Sequence, residues 1–319
     1  AQEYAMEFFK KTPSIDFMGR RRIWFLISAV IVVASLLSVV VRGLNWGIDF
    51  TGGTLLEVHY AEPVDLDQVR AALEASGVAG ATAQHFGSSR DLMIRIAPEE
   101  GATEEQASAK RAQQVMAALQ AKTKGAELRR TEFVGPQVGE ELAESGFLAL
   151  LYTFGGILLY VALRFEWRLA LGAVLALLHD PILIVGVFAL TQLEFDLTVL
   201  AAILAVIGYS INDTVVVFDR IRENFRKMRK ETPEQVINAS INQTLSRTLM
   251  TSVTTMIVLI AMYFLGGDML GRFALAIILG IVVGTYSSIY IASALALWMG
   301  VSRKDLMPVK KEDLMDQRP

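Results

Sequence analysis

The sequence contains no cysteine and only three histidines, His59, His85 and His179. The lack of cysteine excludes a disulfide framework and any thiolate metal site. It also fits partial exposure to an oxidising compartment. Neither a G-x-x-x-x-G-K-[ST] phosphate loop nor an H-E-x-x-H pair occurs, so any energy source is something other than ATP held in such a loop. Basic charge is not in excess: 30 Lys and Arg against 33 Asp and Glu give a net charge of −3. A nucleic-acid partner would call for a strongly basic face, and this balance argues against one.

What the chain does have is apolar length. It is 53% hydrophobic with a mean hydropathy of +0.42. The 319 residues would suggest two domains, but the apolar residues come in blocks rather than short alternations. A membrane span needs about 20 mostly apolar residues. Ile23–Val41, preceded by Arg20, Arg21 and Arg22, is the first such block. It is too long for a signal peptide and no small-residue cleavage site follows it, so it reads as an uncleaved helix. Further spans are expected near 145–163, 169–190, 197–218, 248–265 and 272–299, six in all.

Charge orients them. Lys10, Lys11 and Arg20–Arg22 precede the first span, and Arg164 and Arg168 lie between the second and third. Arg220, Arg222, Arg226, Lys227, Arg229 and Lys230 follow the fourth, and Arg303, Lys304, Lys310 and Lys311 the sixth. The connections "TQLEFD" and "GGDM" have no basic residue. Both termini are therefore expected in the cytoplasm and residues 43–140 outside. Trp24, Trp46, Trp167 and Trp298 fall at span ends, as interfacial anchors do. The expected plan is a segment 1–22, a first span 23–42, an outside domain 43–140, five spans within 141–300 and a tail 301–319.

The outside region reads as βαββαβ. "TLLEVHY" and "DLMIRIAP" alternate as strands, "ATAQHFG" is a weaker strand and "AELRRTEFV" the last. "LDQVRAALEASG" buries Val69, Ala72 and Leu73 and stops at Gly77; "EEQASAKRAQQVMAALQAKT" buries Ala112, Val115, Met116 and Leu119. This order is the split pattern of an α+β ferredoxin-like sandwich. No catalytic cluster appears in it, and His59 and His85 read as strand residues. "DFTGGT", with Asp49, Gly52 and Gly53, is either a tight turn that uses glycine's freedom of φ or a hinge of the outside domain. "FVGPQVGEEL", with Gly135 and Pro136, allows the same two readings.

Polar residues concentrate in spans three, four and five. His179 and Asp180 precede Pro181. In span four, "VIGYSINDTVVVFDRIRE" holds Asn212 and Asp213, and the helical period aligns Val206, Tyr209, Ser210, Asp213 and Val217. In span five, Arg247, Thr251 and Thr254 share a face. Hydroxyl and amide groups in spans often serve only to bind helices together. A mid-span carboxylate costs about 2.5–3.5 kcal/mol and by default marks an ion or proton path. Arg247 is the expected counter-charge of Asp213, unless it is an interfacial anchor.

The segments "NWGIDFTGGT", "RFEWRLALG", "HDPI", "IGYSINDTVVVFDRIRENFRK", "QTLSRTLMTS" and "SSIYIASALAL" resemble the SecF family, accessory subunits of bacterial Sec protein export within the resistance-nodulation-division superfamily. The resemblance runs from about residue 14 to 304. It implies a multi-pass protein of the cytoplasmic (inner) membrane, not an enzyme, that pairs with SecD and uses the proton-motive force. The implied task is to promote late steps of export of preproteins through the SecYEG channel. Protons would be the coupling ion, with no cofactor or metal. By motif, Asp213 corresponds to the family's span-four aspartate, and Arg247 and Thr251 to span-five residues lining the proton path. Pro181 departs from the aliphatic residue of many relatives, which would kink span three and shift Asp180. The rival readings are a proton-coupled half-transporter for a lipid or small amphiphile and a passive scaffold of the channel.

Overall fold

The computed structural model describes residues 13–75, 77, 81–86, 88–98, 105–123 and 125–302. The basic residues Lys10, Lys11, Arg303, Lys304, Lys310 and Lys311, which helped to orient the termini, lie outside them. In chain order a 3-10 turn (Met18–Arg20) leads into α1 (Arg21–Arg42), β1 (Asn45–Trp46), α2 (Ile48–Thr51), β2 (Gly53–Tyr60) and α3 (Leu66–Ala75). Then come β3 (Ala81–Phe86), β4 (Ser88–Ile96), α4 (Glu105–Lys122), β5 (Ala126–Val134) and α5 (Pro136–Arg164). The chain continues through α6 (Trp167–Thr191), β6 (Glu194–Phe195), α7 (Leu197–Lys227), α8 (Pro233–Leu265) and α9 (Gly267–Ser287). A π-helical turn (Ser288–Ala292) joins α9 to α10 (Ser293–Trp298).

Six segments are long and apolar enough to cross a membrane: Met18–Arg42, α5, α6, α7, α8 and Met269–Trp298. These six helices fit a multi-pass membrane protein, here with an inserted sheet. Contacts divide it into two units. One gathers the chain up to Gly43, Tyr152–Gln192 and the chain from Ala201; the other holds Leu44–Leu151 and Leu193–Leu200.

In the first unit, spans three, four and six are central. The apolar windows of α6, α7 and Met269–Trp298 are 56%, 50% and 56% buried, against 11% for α1, 11% for α5 and 17% for α8. The outer helices present large apolar side chains such as Val40, Leu163 and Phe264, a surface suited to hydrocarbon. Small residues bring the central helices close. A Cβ on Gly186 of α6 would collide with Ser35 of α1, and one on Gly280 of α9 with Val206 of α7. A Cβ on Gly172 of α6 would sit 2.8 Å from the Ala292 carbonyl oxygen. α6 runs unbroken through Pro181.

Three helices extend well past their apolar runs, α5 among them, which begins at Pro136 rather than near 145. α7 continues from the expected 218 to Lys227, and α8 begins at Pro233 rather than near 248. The early start has a local cause: Thr232 and Gln235 form a capping box around Pro233 at the first turn. The α7 and α8 extensions share a core, Phe218, Ile221 and Phe225 with Val236, Ile237 and Ile241, which also takes in Phe17 and Met18. Asn238 and Asn242 hold the chain just before α1. Asn238 Oδ1 accepts from Met18 N at 2.9 Å, and Asn242 Oδ1 from Ile15 N at 2.9 Å.

The second unit holds a four-stranded antiparallel sheet in the order β3-β4-β2-β5. Leu56, Val58, Leu92 and Ile94 point to α3 and α4, whose Val69, Leu73, Val115 and Leu119 complete the core. Two features differ from the sequence reading. β4 begins at Ser88, three residues before Asp91, where its alternation starts. The start of β2 is buried on both faces, because Leu55 packs with Ile48 and Met93. A third feature was not foreseen: β1 pairs in parallel with β6, Asn45 opposite Glu194 and Trp46 opposite Phe195. The connection "TQLEFD" is therefore part strand rather than plain loop.

Candidate functional site

Asp213 lies on α7 where the helical period put it. Val206, Ser210, Asp213 and Val217 are buried along one stripe, with Tyr209 partly so. Asp213 is 3% exposed, and its Oδ2 is buried with no hydrogen-bond partner among the described residues. A carboxylate oxygen left so is costly in apolar surroundings, which marks this side chain among the buried polar groups of the spans. Asn212, its neighbour in sequence, is exposed on the other side of the helix.

One turn earlier, Ser210 belongs to a network centred on Asp180 of α6. Asp180 is 1% exposed; its Oδ2 accepts from the Ser210 hydroxyl and from the Ser287 hydroxyl at 2.9 Å. Its Oδ1 lies 2.9 Å from His179 Nδ1, and His179 Nε2 lies 2.5 Å from the Ser28 hydroxyl of α1. Four spans meet in this cluster. Gly284 of α9 makes the approach possible: a Cβ there would lie 3.1 Å from Ser210 Oγ and 3.5 Å from Asp180 Oδ2.

Sequence reasoning named Asp180 but gave no role to His179, Ser28 or Ser287, and it left span six out of the polar spans. Ser287, Ser288 and Ser293 are all 0% exposed. The signals were present in "YSSIYIAS" and in Ser28 and Ser35, seven residues apart on one face of α1. Ser287 directly precedes the π-helical turn, a deviation that is frequent at functional positions.

Arg247 and Thr251 share a face of α8 as expected, but that face is the open one. Arg247 is exposed, Thr251 is partly buried and Thr254 is exposed. The Thr251 hydroxyl donates to the Thr248 carbonyl at 2.9 Å. No ion pair joins Arg247 to Asp213 among the described residues. Among the described residues, no group of three His, Cys, Asp or Glu side chains could hold a metal.

The Asp49–Gly53 motif is a built turn. Gly52 (φ +66°) and Gly53 (φ +117°) occupy backbone that side chains strain. A Cβ on Gly52 would sit 2.9 Å from Pro136 Cα, which ties the motif to Gly135–Pro136 at the start of α5. Asp49 Oδ2 accepts from Leu197 N at 3.0 Å, so the motif's carboxylate sits at the N-terminus of α7. Arg95 of β4 donates to Trp46 O and Thr51 Oγ1 on either side of it. Burial lowers the pKa of Arg95, and Glu194 opposes that.

Elsewhere in the sheet, His59 pairs with Asp91 across β2 and β4, Nδ1 to Oδ1 2.6 Å. Burial raises the Asp91 carboxyl, but hydrogen bonds from Ser88 and His59, with the charges of His59 and Arg129, together hold the group below its usual value.

The family of the SecD/SecF protein export membrane protein, C-terminal, matches residues 114–302, and the SecD/SecF GG motif matches residues 37–64, which include Gly52 and Gly53. The protein translocase subunit SecF of Vibrio alginolyticus is 52% identical over 304 residues, 95% of each chain. That of Pseudomonas aeruginosa is 47% identical over 311 residues, 97% of this chain and 99% of the relative. The crystal structure of SecDF, a translocon-associated membrane protein from Thermus thermophilus, superposes with a TM-score of 0.83 at 38% identity. It covers 92% of this chain, which spans 40% of that longer one. The two SecF relatives are named protein translocase subunits. The chain belongs to the SecF family of protein translocase subunits.

Proposed function

We propose that the chain pairs with SecD and uses the proton-motive force to promote late steps of protein export across the cytoplasmic membrane. Asp213 carries this reading: a carboxylate with a buried, unpartnered oxygen in the middle of a span. Such a group marks a proton path by default. In the cycle, the ionised carboxylate is held by the charge of Arg247; protonation removes that attraction and lets the helices repack. Thr251, one turn beyond Arg247, lines the same path, and Asp180 takes part through Ser210, which lies one turn from Asp213. Each proton that crosses the membrane brings about 2.3 kcal/mol per 100 mV, enough to bias a two-state helix arrangement. Protons are the coupling ion, with no organic cofactor.

The partners follow from the relatives. The solved SecDF is a translocon-associated membrane protein of which this chain spans 40%, which supports SecD beside this chain and the SecYEG channel with its preproteins as the wider assembly. The basic residues at the ends of α5, α6 and α7 support cytoplasmic termini and a periplasmic sheet domain. The sheet order, with both helices on one face, supports a ferredoxin-like reading of residues 43–140. The test is export into inverted membrane vesicles with ATP held saturating. Collapsing the proton gradient with a protonophore should slow the late stage to the rate of vesicles lacking this chain. Undiminished late export would contradict the proposal.

A further inference from the structure

We propose that His179, paired with Asp180, is a second proton-binding site of the membrane helices, and that its protonation is read by span one through Ser28. The inference rests on the proton-driven reading above and deepens it. The geometry assigns the protons. Asp180 Oδ2 already accepts two hydroxyls, from Ser210 and Ser287. Its Oδ1 faces His179 Nδ1 at 2.9 Å, so the ionised carboxylate is satisfied when Nδ1 carries the hydrogen. That fixes the neutral tautomer and leaves Nε2 bare, as an acceptor for the Ser28 hydroxyl at 2.5 Å.

A proton arriving at Nε2 reverses this last bond. The imidazolium now donates to Ser28 Oγ, and the Ser28 hydrogen is released to a new acceptor. Tyr286 stands beside it: its hydroxyl donates to the Trp24 carbonyl at 2.6 Å, and its ring centroid lies 6.3 Å from that of His179. One proton on His179 thus turns the hydrogen bonds that run to α1 without breaking those to α7 and α9. The pair goes from a net charge of −1 to an internally compensated imidazolium–carboxylate.

Among the described residues, few other ionisable groups face the site. α1 contributes Ser28 and the Trp24 carbonyl, α9 contributes Tyr286 and Ser287, and the π-helical turn contributes Tyr290, 5.5 Å from Tyr286 by ring centroid. α7 contributes Ser210, with Asp213 three residues further on. A role in helix packing alone would be met by uncharged groups and would leave the cost of burying an ionisable pair unexplained.

The experiment uses the chain in its lipid-embedded complex with SecD, with nitrogen-15 histidine, observed by solid-state NMR. The His179 signals are those lost in His179→Gln. At alkaline pH, Nδ1 should be protonated and Nε2 bare; acidification should convert the ring to the doubly protonated form. Asp180→Asn should abolish the preference for the Nδ1–H tautomer. Ser28→Ala should leave the titration visible but remove the pH dependence of gradient-driven export. A spectrum that does not respond to pH, or a bare Nδ1 in the parent, would overturn the proposal. The two readings separate cleanly. If Asp213→Asn abolishes gradient-driven export while His179 stays silent to pH, this inference fails and the Asp213 reading stands. If His179 titrates but Asp213→Asn exports normally, the proton-binding site stands and the Asp213 reading fails.

Discussion

Replacing Asp49 by alanine should loosen the N-terminus of α7, the helix that carries Ser210 and Asp213. The first amides of any helix lack acceptors within it. At α7 two carboxylates supply them: Asp49 Oδ2 accepts from Leu197 N at 3.0 Å, and Asp196 Oδ1 accepts from Val199 N at 2.9 Å. Each anion also complements the positive end of the helix dipole. Loss of one such carboxylate acceptor costs about 1 kcal/mol, which raises local opening about fivefold. Asp49 is only partly buried, so a larger figure is not expected. The assay is hydrogen–deuterium exchange of the full chain, read at the amides of Leu197 and of β1 and β6. Asp49→Ala should speed exchange at Leu197 about fivefold and leave Val199, held by Asp196, much less affected. Asp49→Asn keeps an acceptor oxygen but loses the charge, so its effect should be smaller. Unchanged exchange at Leu197 in Asp49→Ala, with a response at Val199 in Asp196→Ala, would refute this account of the motif.

Further outcomes follow from the same structure. Gly52→Ala places a side chain at φ +66° and against Pro136, and should cost roughly 1–3 kcal/mol in thermal unfolding. Asp91, held below its usual pKa, stabilises the fold above the unfolded-state value of about 3.9 and loses that contribution as pH falls through its folded value. The destabilisation caused by Asp91→Asn, measured by denaturant titration, should therefore be full at pH 7 and shrink on acidification below about pH 4. For topology, Arg90→Cys should react with an impermeant thiol reagent from outside the cell and Met228→Cys should not; the reverse pattern would place the sheet domain in the cytoplasm.

Much of this was legible in the sequence because it depends on local period. The apolar blocks located all six spans, and strict alternation placed Leu92, Ile94 and Ile96 on the buried face of β4. The stripe through Ser210 and Asp213 followed from 3.6 residues per turn. What stayed hidden depended on partners distant in sequence. β1 and β6 are two residues each and some 150 residues apart, too short to show any period. The count that put Arg247 and Thr251 on one face of α8 could not say whether a neighbour covers that face, and in this chain it is open. Ser28 looked like an ordinary small residue in an apolar run until α6 brought His179 to it. The early start of α8 is written in Thr232, Pro233 and Gln235, a capping signal that lies well ahead of the apolar run beginning near 248.

Asp213 itself provides the most direct measurement. Late-stage export into vesicles is followed at fixed ATP while the imposed proton gradient is varied, with ATP-driven insertion of the preprotein as the internal control. The parent should accelerate with the gradient. Asp213→Asn, which keeps the size but cannot ionise, should assemble with SecD at equal level and show no response to the gradient. Asp213→Glu, with the charge retained but displaced, should respond in part. If Asp213→Asn accelerates with the gradient as the parent does, Asp213 is not the proton-switching group and the central claim is wrong.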